Sequence, residues 1–341
     1  MATVLTIGGA RFMGRFTVRE FLERGDDVTL FTRGNSEIPF AESDVDHVEG
    51  DRRNEADLRA AYDAVDPDVV VDFAGFHPAD VRAAVDIFAD VDAYLFVSST
   101  SAYRLSTAVP IREDETPLES CTPEQATDDS WESYGARKAE CDRILFEAAD
   151  DGVNAISVRP TAIYGPHDPT QRLDYWIDRV RRYDRIVVPG DEYWMPMHLG
   201  YAEDAARAIT VLAEEGTPGE AYNVANREQC QFDRLIEHIA TALETSVTIV
   251  RPSPRELATI DLFPKNFSLC RPFPYVVSTE RLAALGWKST PLEAGIETAV
   301  EHHLETEPDG SRHGPSRETE ERLLELCAHG VRSIDGRGRD S

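Results

Sequence analysis

Thr3-Val4-Leu5-Thr6-Ile7-Gly8-Gly9-Ala10-Arg11-Phe12-Met13-Gly14 stands at the head of the chain, and its reading decides the fold. An apolar run ends in two glycines. A helical pattern comes next, with Phe12, Phe16, Val18, Phe21 and Leu22 on one stripe and a stop at Gly25. Strand, tight turn and helix in that order form the place where a dinucleotide pyrophosphate rests against a helix N-terminus. Gly8 permits the turn, and Gly14 lets the helix pack close to the strand. A glycine pattern gains its force from context, so the reading depends on the segments beyond Gly25.

Those segments alternate. Short strands are expected at Val28–Thr32, Val45–Glu49, Val69–Ala74 and Tyr94–Ser98, with helices at Glu55–Val65 and Asp80–Ala89. Buried apolar strands separated by amphipathic helices imply an α/β fold, a Rossmann-type doubly wound parallel sheet. Residues 104–130 read as a long loop over the sheet edge. Trp131–Ala149 reads as one long helix, and Ala155–Val158 as a strand. The pattern loosens through 166–200, then gives a helix at Ala202–Glu214, a strand at Ala221–Val224 and a helix at Gln231–Leu243. The dinucleotide-binding domain is therefore expected over 1–165, with 198–228 returning to it. A smaller, mainly C-terminal substrate-binding region covers 166–197 and 229–304. Residues 305–341 read as a polar tail with one short helix, Arg317–Ala328, and a disordered Gly/Arg end.

Composition narrows the function. The 341 residues carry 63 acids against 35 bases, a net charge of −28. That balance disfavours nucleic acid and anionic membranes as partners. Lysine occurs only at Lys138, Lys265 and Lys288; every other Lys/Arg cation is arginine. An acidic, lysine-poor surface suits a salt-rich, halophilic cytoplasm, because at ~1 M salt the Debye length is about 3 Å. No apolar run is long enough to span a membrane, and no signal peptide is read. The five cysteines lack metal-ligand spacing, so free thiols and no metal site are expected. His198, His302 and His303 likewise read as structural.

Two places carry chemistry. The second strand ends in Thr32-Arg33-Gly34, with no acid to bind a ribose 2′-hydroxyl. Arg33 suits a 2′-phosphate and Arg11 adds a second cation, so NADP is favoured over NAD. Asp51, after the third strand, is placed to meet the adenine edge. The fifth strand ends in Ser98-Ser99-Thr100-Ser101-Ala102-Tyr103, and Tyr134-Gly135-Ala136-Arg137-Lys138 lies further on. Tyr134 and Lys138, four apart, share a helical face. A phenol of pKa ~10 is a weak base at neutral pH, and a neighbouring ammonium favours its phenolate.

On these residues the chain resembles the extended short-chain dehydrogenase/reductases, the NAD(P)-dependent nucleotide-sugar epimerases and dehydratases. The likeness runs from about residue 3 to 300. It includes Gly8-Gly9-x-x-Phe12-x-Gly14, Gly50-Asp51, Ser98-Ser99, Tyr134-x-x-x-Lys138, the run Arg159–Asp168, His198 with Asp204, and Ser278–Ile296. The resemblance implies that Ser99 hydrogen-bonds the reacting oxygen, Tyr134 is the acid/base, and Lys138 holds the nicotinamide ribose. It implies cofactor contacts from Gly8, Gly9, Arg11, Phe12, Met13, Gly14, Arg33, Asp51, Ala74, Gly75, Tyr134, Lys138 and Pro160.

Four departures accompany it. Arg11 replaces the middle glycine of the usual turn, as in an atypical branch that includes chloroplast stem-loop-binding proteins. The helix at Asp80–Ala89 lacks the family's Asn. Thr100-Ser101 stand where sugar dehydratases carry an Asp-Glu pair. Tyr193–Met197 is apolar where the family often has an Arg that clamps a diphosphate. The expected activity is epimerase/dehydratase-type hydride transfer on a sugar nucleotide or a related hydroxyl or keto small molecule. The alternatives are an NADPH-linked carbonyl reductase and a non-catalytic NADP-binding protein with an RNA or protein partner. A homodimer is the candidate assembly.

Overall fold

The structure is a computed structural model describing residues 1–35, 37–105, 109–190, 196–271, 273–327 and 331–337. The chain begins with β1 (Thr3–Ile7), α1 (Phe12–Glu23), β2 (Asp27–Thr32), β3 (Asp46–Glu49), α2 (Glu55–Val65), β4 (Val69–Asp72), α3 (Pro78–Ile87) and β5 (Ala93–Val97). It continues with α4 (Pro123–Thr127), α5 (Tyr134–Asp150), β6 (Ala155–Pro160), β7 (Ala162–Tyr164), α6 (Arg172–Arg182), β8 (Arg185–Val187) and β9 (Leu199–Tyr201). Then come α7 (Ala202–Glu215), β10 (Ala221–Val224), α8 (Phe232–Ala242) and β11 (Ser246–Val250). The chain closes with α9 (Pro254–Ala258), α10 (Glu280–Ala284), α11 (Leu292–Thr306), α12 (Arg317–Leu326) and β12 (Val331–Asp335).

Two compact units divide these elements. The first holds Met1–Ile163, Ala202–Ala225 and Val277–Ser289. Its sheet has seven parallel strands in the order β10-β6-β5-β4-β1-β2-β3. The chain steps outward from β1 to β3, then crosses back to place β4 on the other side of β1. That reversal opens a crevice at the strands' carboxyl ends, where open α/β sheets bind ligands. Side chains alternate between two cores. Val4, Leu30, Val71 and Leu95 meet α1 and α7 on one face. Leu5, Ile7, Val70 and Phe96 meet α2, α3 and α5 on the other. Phe16 and Phe21 of α1 are buried, worth ~1.5–3 kcal/mol each, and orient its N-terminus at the crevice.

Three readings from sequence are revised. The segment Val277–Ser289 belongs to the first unit, although it reads as substrate-binding region. Its Trp287 Nε1 donates to Asp204 O at 2.9 Å, and Arg281 donates to Ala221 O at 3.3 Å. These contacts cover the β10 edge, and periodicity could not reveal them. Helix α5 starts at Tyr134 rather than Trp131. Ser130 N donates to Asp128 Oδ1 at 3.0 Å and Ser133 Oγ donates to Asp128 O at 3.0 Å, folding that stretch into a turn. The third concerns the C-terminal stretch in the second unit.

That unit holds Tyr164–Tyr201, Asn226–Val276 and Thr290–Ser341. Helices α6, α8 and α11 pack around buried Trp176, whose indole N–H donates to Ser268 O at 2.8 Å. Its sheet has the order β12-β11-β8. The short helix expected there is α12, but the end beyond it, expected to be disordered, supplies β12, antiparallel to β11. Glu320 of α12 is fully buried; it pairs with Arg179 at 3.0 Å and accepts from Val187 N at 2.8 Å. A charged helix thus hides one carboxylate that pins it, a contact composition alone could not disclose. His198 donates Nε2–H to Asn226 O at 2.5 Å, and burial lowers its pKa, which keeps it neutral. Tyr193, Trp194, Met195 and Ala328 lie outside the described residues.

Candidate active site

Every expected site residue falls in the first unit, at the carboxyl ends of its strands. Gly8 and Gly9 have φ of +101° and +73°, the left-handed region open to glycine. Gly8 N donates to Phe31 O at 3.0 Å, tying the turn to β2. A Cβ on Gly9 would lie 2.6 Å from Thr6 Oγ1, and one on Gly14 would lie 2.6 Å from Gly9 Cα. The three glycines therefore bring α1 down onto the turn.

Helix α1 begins without a side-chain cap. Arg11 occupies the capping position in an extended conformation, and no acid stands in the first turn. The first backbone N–H groups and the positive end of the dipole are left for an anion. Phe12 has φ +44°, a backbone strain of about 1–3 kcal/mol held at the first residue of the helix. This cradle fits a dinucleotide pyrophosphate.

The adenine end has one surprise. Arg33 and Arg11 are exposed and make no side-chain hydrogen bond or ion pair among the described residues. Glu49, however, reaches the Arg33-Gly34 turn from the end of β3. Its carboxylate lies where a Cβ on Gly34 would come within 2.7 Å. Reading only the residues after β2 misses this acid, because the parallel pairing Thr32↔Glu49 supplies it from the neighbouring strand. Asp51 begins the next turn, with its Oδ1 accepting from Arg53 N at 2.9 Å.

The residues expected at the nicotinamide end come from β4, β5, β6 and α5. A Cβ on Gly8 would sit 3.1 Å from Phe73 Cβ and in contact with Ala74, so the glycine turn adjoins the loop after β4. Ser99 closes β5 and caps a short 3₁₀ turn, its Oγ accepting from Ser101 N at 3.1 Å. Thr100 Oγ1 donates to Pro160 O at 3.2 Å, which fixes that turn to β6. The first turn of α5 lies against the Ser101 carbonyl, with Gly135 at the contact. A glycine in a helix costs ~1 kcal/mol against alanine, and at 135 it allows this approach. Tyr134 and the Ser99 turn are thereby brought to one place.

Lys138 is almost fully buried one helical turn beyond Tyr134. Its Nζ donates to Gly75 O and to Val97 O, both at 2.7 Å. The ammonium also lies over the rings of Phe96 (4.4 Å) and Phe76 (5.1 Å). Two of its three donors are used, leaving one for a ligand hydroxyl. Tyr134 is half-buried and stacks on Trp131, with ring centroids 4.8 Å apart and planes 6° apart. Trp131 itself is 75% exposed. It reads from sequence as an ordinary helical residue, so its stacking goes unforeseen.

Tyr103 turns inward instead. Its hydroxyl donates to Asn223 Oδ1 and accepts from Arg159 Nη1, both at 2.8 Å, and burial pushes its pKa far up. Asp142 completes this buried network through Arg159 and Ser157. Among the described residues, no three His, Cys, Asp or Glu side chains group to hold a metal. No helix among them is long and apolar enough to cross a membrane.

A family model described as the NAD dependent epimerase/dehydratase family matches residues 4–225. The chain belongs to that family. The chain is 30% identical over 300 residues to the chloroplast stem-loop binding protein of 41 kDa b of Arabidopsis thaliana, covering 84% of this chain and 74% of that one. It is 27% identical over 339 residues to the low-salt glycan biosynthesis protein Agl12 of Haloferax volcanii, covering 88% and 98%. Among solved structures, the UDP-glucose 4-epimerase of Thermotoga maritima with UDP-glucose superposes with a TM-score of 0.70 at 18% identity, over 89% of this chain and 99% of that one. The dTDP-glucose 4,6-dehydratase of Bacillus anthracis with NAD gives 0.69 at 19%, over 89% and 97%. This epimerase/dehydratase-family enzyme is thus an extended short-chain dehydrogenase/reductase that uses a nicotinamide cofactor.

Proposed function

We propose that this enzyme is a sugar-nucleotide epimerase that works by proton transfer at Tyr134 and hydride exchange. The observation that carries the reading is Lys138, buried between two carbonyls and two aromatic faces, one helical turn from Tyr134. The nicotinamide, when bound, takes up and returns hydride. Tyr134 accepts the proton of the substrate hydroxyl as that carbon becomes a ketone, and gives it back on return. Ser99 hydrogen-bonds the same oxygen. Lys138 sets a positive charge one helical turn from Tyr134 and would give its third donor to a ribose hydroxyl of the bound cofactor. Holding the reactants together supplies much of the rate.

Elimination chemistry is disfavoured. The turn carrying Ser99 offers Thr100 and Ser101, and Thr100 is committed to Pro160. No carboxylate on that turn can act as an elimination acid or base. UDP-glucose 4-epimerases among the relatives and neighbours support a nucleoside-diphosphate sugar as substrate. For the cofactor, Arg33 and Arg11 favour NADP while Glu49 opposes a 2′-phosphate. We place two exposed guanidinium groups above one carboxylate and read NADP as preferred. A lysine-poor chain of net charge −28 supports function in a salt-rich cytoplasm.

The deciding experiment incubates the enzyme with NADP or NAD and a panel of UDP- and dTDP-hexoses in high salt, following nicotinamide absorbance and product sugar. Interconversion of C4 epimers is expected. A ketone reduced with net NADPH consumption would favour the carbonyl-reductase reading. The stem-loop-binding relative supports a second reading, nucleic-acid association. Retention of an RNA hairpin with no turnover of any sugar would favour it.

A further inference from the structure

Beneath the proposed cofactor site lies a charge pair that neither proton transfer nor hydride exchange uses. Arg52 follows Asp51 at the adenine end and is 6% exposed; Asp72 ends β4 and is wholly buried. Arg52 Nη2 donates to Asp72 Oδ2 at 2.5 Å. Tyr94 donates its hydroxyl to the same oxygen at 3.0 Å. Burial pushes Tyr94 well above its ordinary pKa, so that proton stays in place. The other carboxylate oxygen accepts from Ala74 N at 2.9 Å.

This arrangement is a poor stabiliser. Arg52 Nε and Nη1 are buried without a hydrogen-bond partner among the described residues. A buried ion pair with unsatisfied donors is matched or bettered by apolar side chains of similar size. What the pair does achieve is geometric. It clamps the start of the 73–77 loop, while Asp80 clamps its end by accepting from Phe76 N at 3.0 Å and His77 N at 2.9 Å. Between the two clamps sits Gly75, whose carbonyl holds Lys138 at 2.7 Å. Gly75 has little freedom to move, since a Cβ there would lie 2.9 Å from Phe96 Cε2 and 3.2 Å from Asp72 Oδ2.

We propose that Arg52 and Asp72 are positioning residues that couple the adenine-side turn to the loop holding Lys138, so that the two ends of the cofactor are gripped as one. The inference rests on the nicotinamide-cofactor reading of this site. Its signature is selective. Loosening the pair should weaken grip on the nicotinamide half through Lys138, while the adenine half keeps its own contacts.

The test is a double-mutant cycle on cofactor binding, read by calorimetry in high salt with two probes: NADPH, and adenosine 2′,5′-bisphosphate as the adenine half alone. Asp72→Asn should weaken NADPH by about 10-fold or more and the half-ligand by less than about 3-fold. Lys138→Met should show the same split. The combination Asp72→Asn/Lys138→Met should bind NADPH within about 2-fold of the weaker single variant, because both act through one contact. Asp72→Asn strands a buried guanidinium and can fail to fold, so the neutral pair Arg52→Met/Asp72→Asn is measured beside it and should show the same split. Equal weakening of both probes, or losses that multiply, would overturn the positioning role while leaving the cofactor reading intact. A parent protein that binds neither NADPH nor NADH would overturn both.

Discussion

Lys138→Met is the substitution on which the proposed mechanism is most exposed. Methionine has nearly the same length and fills the slot between Phe76 and Phe96, but it donates nothing. Two bonds from a charged donor disappear, at Gly75 O and Val97 O. Leaving two buried carbonyls unpaired costs about 1–3 kcal/mol each, so roughly 2–6 kcal/mol in all. The cation–π contact with buried Phe96 adds about 2 kcal/mol to what is lost, and that with the exposed Phe76 about 0.5–1 kcal/mol. Against this stands the cost of burying an ammonium, several kcal/mol, which the variant no longer bears. The regained desolvation offsets part of what is lost. Stability should therefore fall by only a part of the gross loss, leaving the variant folded while function falls.

Function has no such offset. The proposed base Tyr134 loses the cation one helical turn away, and a bound ribose would lose a donor. Turnover of the best sugar nucleotide should fall at least ~100-fold, the lower range for impaired acid/base catalysis. NADPH affinity should fall about 10-fold, as expected for one lost contact of ~1.4 kcal/mol. Thermal unfolding, dinucleotide calorimetry and turnover on the same preparation read all three. Should melting collapse in step with activity, Lys138 is a strut between β4 and β5 and its catalytic assignment is wrong. Should turnover survive, the mechanism fails outright.

Three other perturbations test separate parts of the reading. Tyr134→Phe keeps the ring stacked on Trp131 and leaves the Gly8–Gly14 turn untouched, so cofactor affinity should hold while turnover drops by ~100-fold or more. Arg33→Ala should erode NADP preference by about 10- to 150-fold, the span of a charge-assisted bond of ~1.5–3 kcal/mol, whereas Glu49→Gln should raise it; equal NADP and NAD affinities in the parent would make Arg33 a bystander. Moving from molar to near-zero salt should lower the melting temperature, because carboxylates screened within ~3 Å at 1 M begin to repel. An unchanged melting temperature would remove the salt-adaptation reading.

The central sheet was legible because its strands are buried on both faces and so appear as unbroken apolar runs such as Val69-Val70-Val71. The glycine turn was legible because only glycine tolerates its geometry. What escaped reading depends on contacts across the sequence. Glu49 reaches the cofactor turn through a strand pairing, Arg52 finds Asp72 across 20 positions, and Glu320 pins α12 to buried Arg179. In each case a charged residue looks solvated by composition and is placed by topology. The carboxyl-terminal strand β12 escaped for a related reason. Val331–Asp335 has little hydrophobicity, is mostly exposed, and gains its form from the ladder offered by β11.

The scarcity of lysine sharpens the catalytic assignment. Of the three lysines, Lys265 and Lys288 are exposed and Lys138 is buried. Arginine supplies the cation in the buried pairs with Asp72, Asp142 and Glu320. Lys138 is thus the one lysine of the three in a buried slot, in a chain that otherwise buries arginine for its ion pairs. The slot between Gly75 O, Val97 O and two aromatic rings admits a compact ammonium with three rotatable donors. A planar guanidinium with five fixed donors would leave several of them buried and unpaired there. Lys138→Arg is therefore no conservative exchange: it keeps the charge but should displace the 73–77 loop, and the site should lose dinucleotide affinity although its net charge is unaltered.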